Sequence, residues 1–163
     1  MTDAMMEAWL DQEDRHVAET IRRHGCFIQY VMGCTCGRCG EQTSFAYTTG
    51  LFGLGHPELL VFGVDQSTAA GVLNDLFRRV KAGADLVPGE LITFPDWPHR
   101  MVVELVPNPG EIVFTANRHY DRPPEVSVPV LQLTWDDTAG RFPWDDGYSV
   151  PPAVQPRPGT FAA

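Results

Sequence analysis

Cys34, Cys36 and Cys39 fall within six residues, in the run Cys34-Thr35-Cys36-Gly37-Arg38-Cys39-Gly40. A thiolate is a soft ligand and a nucleophile, and a Cys-x-x-Cys-Gly turn lets two sulfurs converge on one point. Gly37 and Gly40 permit the left-handed backbone that turns amide groups back toward the sulfurs. Two chemistries fit this spacing: a metal site, with zinc the natural ion, or a redox pair made by Cys36 and Cys39. An iron–sulfur cluster fits less well, because it normally takes four cysteine ligands. The remaining cysteine, Cys26, lies eight residues before Cys34. On a straight strand that is roughly 25 Å at about 3.3 Å per residue. Cys26 therefore joins the site only if the strand is broken near Gly33. Otherwise a fourth ligand is a histidine, a carboxylate, water or a residue of a second chain.

A second constellation is His24, Cys26, His56 and Glu58, which a hairpin would gather at the end opposite the cysteine turn. Thiol, imidazole and carboxylate together can support nucleophilic or acid–base chemistry near a small-molecule pocket. The plainer reading makes His56-Pro57 a turn before a buried strand and Cys26 a small core residue. Three further groups mix aromatics with charges: 96–99, 119–122 and 135–146. Such groups can line a cleft, but they also form the rim over a core, and the rim is the expectation. Gly50, Gly53 and Gly55 do not make a phosphate loop, since an apolar run rather than a helix follows and no Lys-Ser/Thr is present.

These residues need elements to hold them. Met5, Met6, Trp9, Leu10, Val17 and Ile21 recur at helical spacing, predicting a helix from about Asp3 to Arg23. Residues 26–32 and 44–49 read as two strands of a hairpin with the cysteine turn at its tip. Leu59-Leu60-Val61-Phe62 is the continuous apolar run of a central strand. Asp65 is a natural cap for a helix over 66–81. Strands follow at 91–94 and 100–106, a helical segment near 112–120, and a last strand over 126–135. Pro129 suggests that this last strand is an edge or carries a bulge.

The chain has 163 residues, 44% of them hydrophobic and 20% charged, enough for a sizeable core. The expectation is one α+β domain over 1–148, a mainly antiparallel sheet with two or three helices packed on it. Residues 149–163 are Pro-rich and read as a poorly ordered tail. With 21 acidic and 12 basic residues the net charge is −9, which repels phosphate backbones and anionic lipid. No nucleic-acid or membrane partner is expected, and no secretory signal is visible, so the default location is cytoplasmic. Clustered cysteines in a reducing compartment favour metal or redox roles over disulfides.

The stretch Ala46-Tyr47-Thr48-Thr49-Gly50-Leu51, with Gly55-His56-Pro57-Glu58-Leu59 behind it, resembles a known family, the bacterial domain of unknown function 4262. Further counterparts are Val72-Leu73-Asn74, Leu131-Gln132-Leu133-Thr134-Trp135 and the segment from Asp137 to Trp144. The resemblance spans roughly 20–148 and implies no activity; the cysteine turn is not part of the pattern. The residues themselves point first to a zinc-binding interaction module, with a protein or small molecule as partner and self-association open. An enzyme using His56, Glu58 and Cys26 is the second reading. A flavin-binding barrel is a third, without a motif behind it.

Overall fold

The computed structural model describes residues 2–34 and 43–163. The chain opens on helix α1 (Asp3–His24), where the Thr2 hydroxyl accepts a hydrogen bond from Met5 N at 3.3 Å. Gly25 ends the helix at φ 86°, and a Cβ there would meet the Phe77 ring at 2.7 Å. Both the sign of φ and the closeness of Phe77 call for glycine.

Two strands follow, β1 (Phe27–Val31) and β2 (Phe45–Thr49), paired antiparallel from Phe27↔Thr49 to Val31↔Phe45. A short 3-10 turn, Phe52–Leu54, leads into β3 (Glu58–Phe62). Helix α2 (Gln66–Lys81) starts at Asp65, whose carboxylate accepts from Thr68 N at 2.7 Å. Strands β4 (Leu91–Phe94) and β5 (Trp97–Leu105) form a second hairpin. The expected helical segment near 112–120 is a 3-10 turn, Pro109–Glu111, and a short helix α3 (Phe114–His119). Strand β6 (Val130–Trp135) closes the set.

The six strands run in the order β1-β2-β3-β6-β5-β4. All neighbours are antiparallel except the central pair β3–β6. The expected α+β class is therefore the observed one. Strand β6 is central, however, and not the edge or bulged strand that Pro129 suggests. Pro129 lies just before the first paired residue, so the ladder needs no N–H from it. Its carbonyl is instead used, accepting from Glu58 N at 2.9 Å.

The sheet is covered on both faces. On one, Leu73, Leu76 and Phe77 of α2 pack on Ala46, Leu59, Val61, Met101 and Leu133. On the other, Ile112, Val113 and Ala116 cover Phe45, Tyr47, Leu60, Phe62 and Val130. This two-sided burial explains why β3 shows no polar alternation. The 149–163 segment packs as well: Gln155 is 2% exposed, and the Phe161 ring sits 5.2 Å from Phe45 and 5.0 Å from Phe62. Among the described residues no helix is long and apolar enough to cross a membrane.

Candidate functional site

The β1–β2 hairpin flanks the segment of the chain that carries Cys34, Cys36 and Cys39. Its base is closed just beyond the Val31↔Phe45 pair, where Gly33 N donates to Ser44 Oγ at 2.8 Å. Ser44 O accepts from Gly63 N at 2.9 Å, and Thr43 Oγ1 donates to Ala153 O at 2.6 Å, tying the return arm to the body. Cys34 is half-buried at this base. Cys36 and Cys39 lie outside the described residues, so the convergence of the three sulfurs is not on view. Among the described residues no three His, Cys, Asp or Glu side chains gather as metal ligands do. The strand between Cys26 and Cys34 is continuous over 27–31, which keeps Cys26 at the far end of the hairpin.

That far end holds Cys26 and Glu58. The Glu58 side chain is fully buried and accepts four hydrogen bonds. Thr48 Oγ1 (2.8 Å) and Leu51 N (3.0 Å) donate to Oε1, and Gly50 N (3.0 Å) and Phe52 N (3.1 Å) donate to Oε2. Burial pushes this carboxyl up from its ordinary value, and the four donors oppose the rise. Every contact is a donor, which is the set an ionised carboxylate accepts. Gly50, at φ 137°, makes the arrangement fit: a Cβ would lie 2.6 Å from Gly25 O. Burial also pushes the Cys26 thiol up to about 12, with the Glu58 charge adding to it. Tyr120 completes this end, accepting from Gly53 N at 3.1 Å. Burial first, then Glu58, raises its hydroxyl to about 12.

His56 is buried but turned elsewhere. Its Nε2 accepts from Leu86 N at 3.0 Å, so Nδ1 carries the hydrogen and donates to Pro57 O at 2.7 Å. Both ring nitrogens are thus bound to backbone, and the ring ties the connection after α2 to the start of β3. His24 is exposed at the end of α1. The chemistry left at this end of the sheet is a protonated thiol, a fully engaged carboxylate and a neutral imidazole.

A different pairing joins two of the groups that read as separate rims. His99 Nδ1 lies 2.7 Å from Asp136 O and 3.1 Å from Asp136 Oδ1. Both atoms are acceptors, so Nδ1 donates. Asp136 also takes Arg100 N at 3.0 Å and Arg100 Nε at 2.9 Å, and it is 2% exposed. The His99 ring stands between Trp97 and Trp135, at 4.9 and 5.5 Å. Sequence spacing does not reveal this. The signal is the β5–β6 register, Met101↔Trp135, which continues to set Asp136 opposite Arg100, one residue from His99.

The family model for a domain of unknown function, DUF4262, matches residues 20–149. The match starts late in α1 and ends at the first residue of the Pro-rich segment. No curated protein and no solved structure matches the chain.

Proposed function

Given that the chain belongs to the DUF4262 family, we propose that this member is a small metal-binding domain acting as a binding module, with zinc held by Cys34, Cys36 and Cys39. Three closely spaced thiolates are the soft donor set that selects zinc over magnesium or calcium. The observation that carries the reading is the closed base of the loop. The Gly33–Ser44 hydrogen bond and the Thr43–Ala153 bond fix the described residues on either side of the short segment that carries the three thiols. Cys26 is kept away by the intact strand, so a histidine, a carboxylate, water or a residue of a second chain takes the fourth position. The acid–base alternative has less behind it. Both nitrogens of His56 are engaged, and the Cys26 thiol is held protonated.

The test is elemental analysis of protein purified without added metal. About one zinc per chain is expected. Replacing Cys36 and Cys39 with serine is expected to release it and lower the melting temperature, because the ion's binding energy is also folding energy. Metal-free protein whose three loop thiols titrate freely rejects the assignment.

A further inference from the structure

Part of the 96–99 group, which reads from sequence as a rim, lines a pocket. The turn between β4 and β5 and one stripe of α2 leave about 350 Å³ between them. Phe94 and Trp97 are directly opposed in the hairpin, so both rings stand on the same side of it. They meet edge to face, with centroids 5.7 Å apart and planes at 71°. Each ring also has a neighbour that holds it. His99, itself tied to Asp136, lies 4.9 Å from Trp97. Arg79 lies 5.2 Å over Phe94, donates to Thr93 O at 3.2 Å and sits 2.8 Å from Asp75. An aromatic wall fixed in this way loses little freedom when a ligand arrives.

On the α2 side the pocket is lined by Gly71 and the buried Val72. A helix interior disfavours glycine. At Gly71 the backbone is ordinary and a Cβ would meet nothing within 4 Å, so neither a turn nor a close approach within the chain calls for it. What the missing side chain leaves is room beside the aromatic wall. Two charges of opposite sign border that room. Asp96 is exposed and has no ion-pair partner among the described residues. Arg78 is 68% exposed and comes only to 3.8 Å from Asp75, which Arg79 engages more closely. A purely anionic ligand would meet Asp96 here, and a purely cationic one Arg78. A ligand carrying both charges and a ring meets an opposite for each. The volume lies at the small end of the roughly 300–1,000 Å³ of ligand pockets, which suits a molecule of amino-acid size.

We propose that this pocket binds a small zwitterion with a planar ring, an aromatic amino acid or a close relative. Its ring fills the room left by Gly71 against Trp97, its carboxylate meets Arg78 and its ammonium meets Asp96. The test is saturation-transfer NMR and calorimetry on the full chain with three probes: L-phenylalanine, phenylacetate and 2-phenylethylamine. L-Phenylalanine is expected to bind, with transfer strongest at its ring protons, and to bind more tightly than either singly charged probe. Gly71→Leu fills the room and is expected to weaken L-phenylalanine about tenfold or more. Leucine is the better helix former, so the melting temperature of that variant is expected to match or exceed the parent's. Arg78→Gln is expected to weaken L-phenylalanine and phenylacetate but spare 2-phenylethylamine. Asp96→Asn is expected to weaken L-phenylalanine and 2-phenylethylamine but spare phenylacetate. No saturation transfer from L-phenylalanine at millimolar concentration overturns the proposal. So does binding indifferent to Gly71→Leu, and so does a singly charged probe that binds as tightly as the zwitterion.

Discussion

Burying a charge without a counter-ion demands full hydrogen bonding, and Glu58 receives it from four donors. Three of these are successive backbone amides of 50–52, which enter the turn after β2. The carboxylate and the turn depend on each other: remove either and the other is left unsatisfied in a dry place. Glu58→Ala is expected to lower unfolding free energy by about 3–5 kcal/mol, since an orphaned buried donor costs about 1–3 kcal/mol. Glu58→Gln keeps the shape but sets an NH2 group against donors at one oxygen position, so it is expected to cost about 2–3 kcal/mol. Urea unfolding measures both, and a loss below about 1 kcal/mol for the glutamine variant would contradict this account. The same geometry accounts for the residues by which the family was recognised. Thr48 and Gly50 serve Glu58, Tyr47 Oη accepts from Thr115 N at 3.1 Å, and His56 holds Leu86. These residues build the domain, which is why the resemblance points to a fold and to no reaction.

At the scale of elements, most of the sheet was legible because period-2 and continuous apolar runs report directly on which faces are buried. The hairpin, the central β3, the capped α2 and the first helix all followed from local signals. The position of β6 did not, because Pro129 borders its apolar run without entering the ladder and because a crossover between non-consecutive strands leaves no local trace. The His99–Asp136 contact leaves no local trace either, because it depends on the register of β5 against β6 across the long 106–129 connection. Beyond β6 the chain turns on Asp137, whose carboxylate accepts from Ala139 N and Arg141 N at 2.9 Å and from Ser149 N and Oγ at 3.1 Å. Burial pulls this carboxyl upward, but the hydrogen bonds from Arg141, Ser149 and Ala139 outweigh it and hold it at about 2. A depressed carboxyl contributes stability above its ordinary value of 3.8 and loses it as pH falls through the folded value. Asp137→Asn is therefore expected to be less stable than the parent at neutral pH. The gap is expected to shrink from about pH 4 and to close near pH 2. Urea midpoints of both proteins across that range test it, and a gap independent of pH would speak against an ionised Asp137 as its cause.

The whole molecule is closed by the segment read from sequence as a tail. Its prolines and small residues carry no periodicity, and the few groups that matter are spaced too irregularly to signal burial. Gln155 grips the last residue of β6 on both sides, its Oε1 accepting from Trp135 N and its Nε2 donating to Trp135 O, each at 2.9 Å. Gln132, fully inside the sheet, donates to Pro156 O at 2.9 Å. Arg157 makes two bonds to Glu104 at 2.7 and 2.8 Å, and Phe161 fills the space over Phe45 and Phe62. Prolines suit such a strap because they restrict the unfolded chain and need no N–H partner. Deleting 150–163 removes about 2 kcal/mol of apolar burial at Phe161. It also orphans Trp135 N and Gln132 Nε2 at about 1–3 kcal/mol each. The total, on the order of 4–8 kcal/mol, rivals the 5–15 kcal/mol that holds a typical domain together. The truncated chain is thus expected to be at the margin of folding, while Phe161→Ala alone loses about 2 kcal/mol and stays folded. Urea unfolding of the two variants beside the parent decides the matter. A truncated protein as stable as the parent would mean that the strap rests on the domain without supporting it.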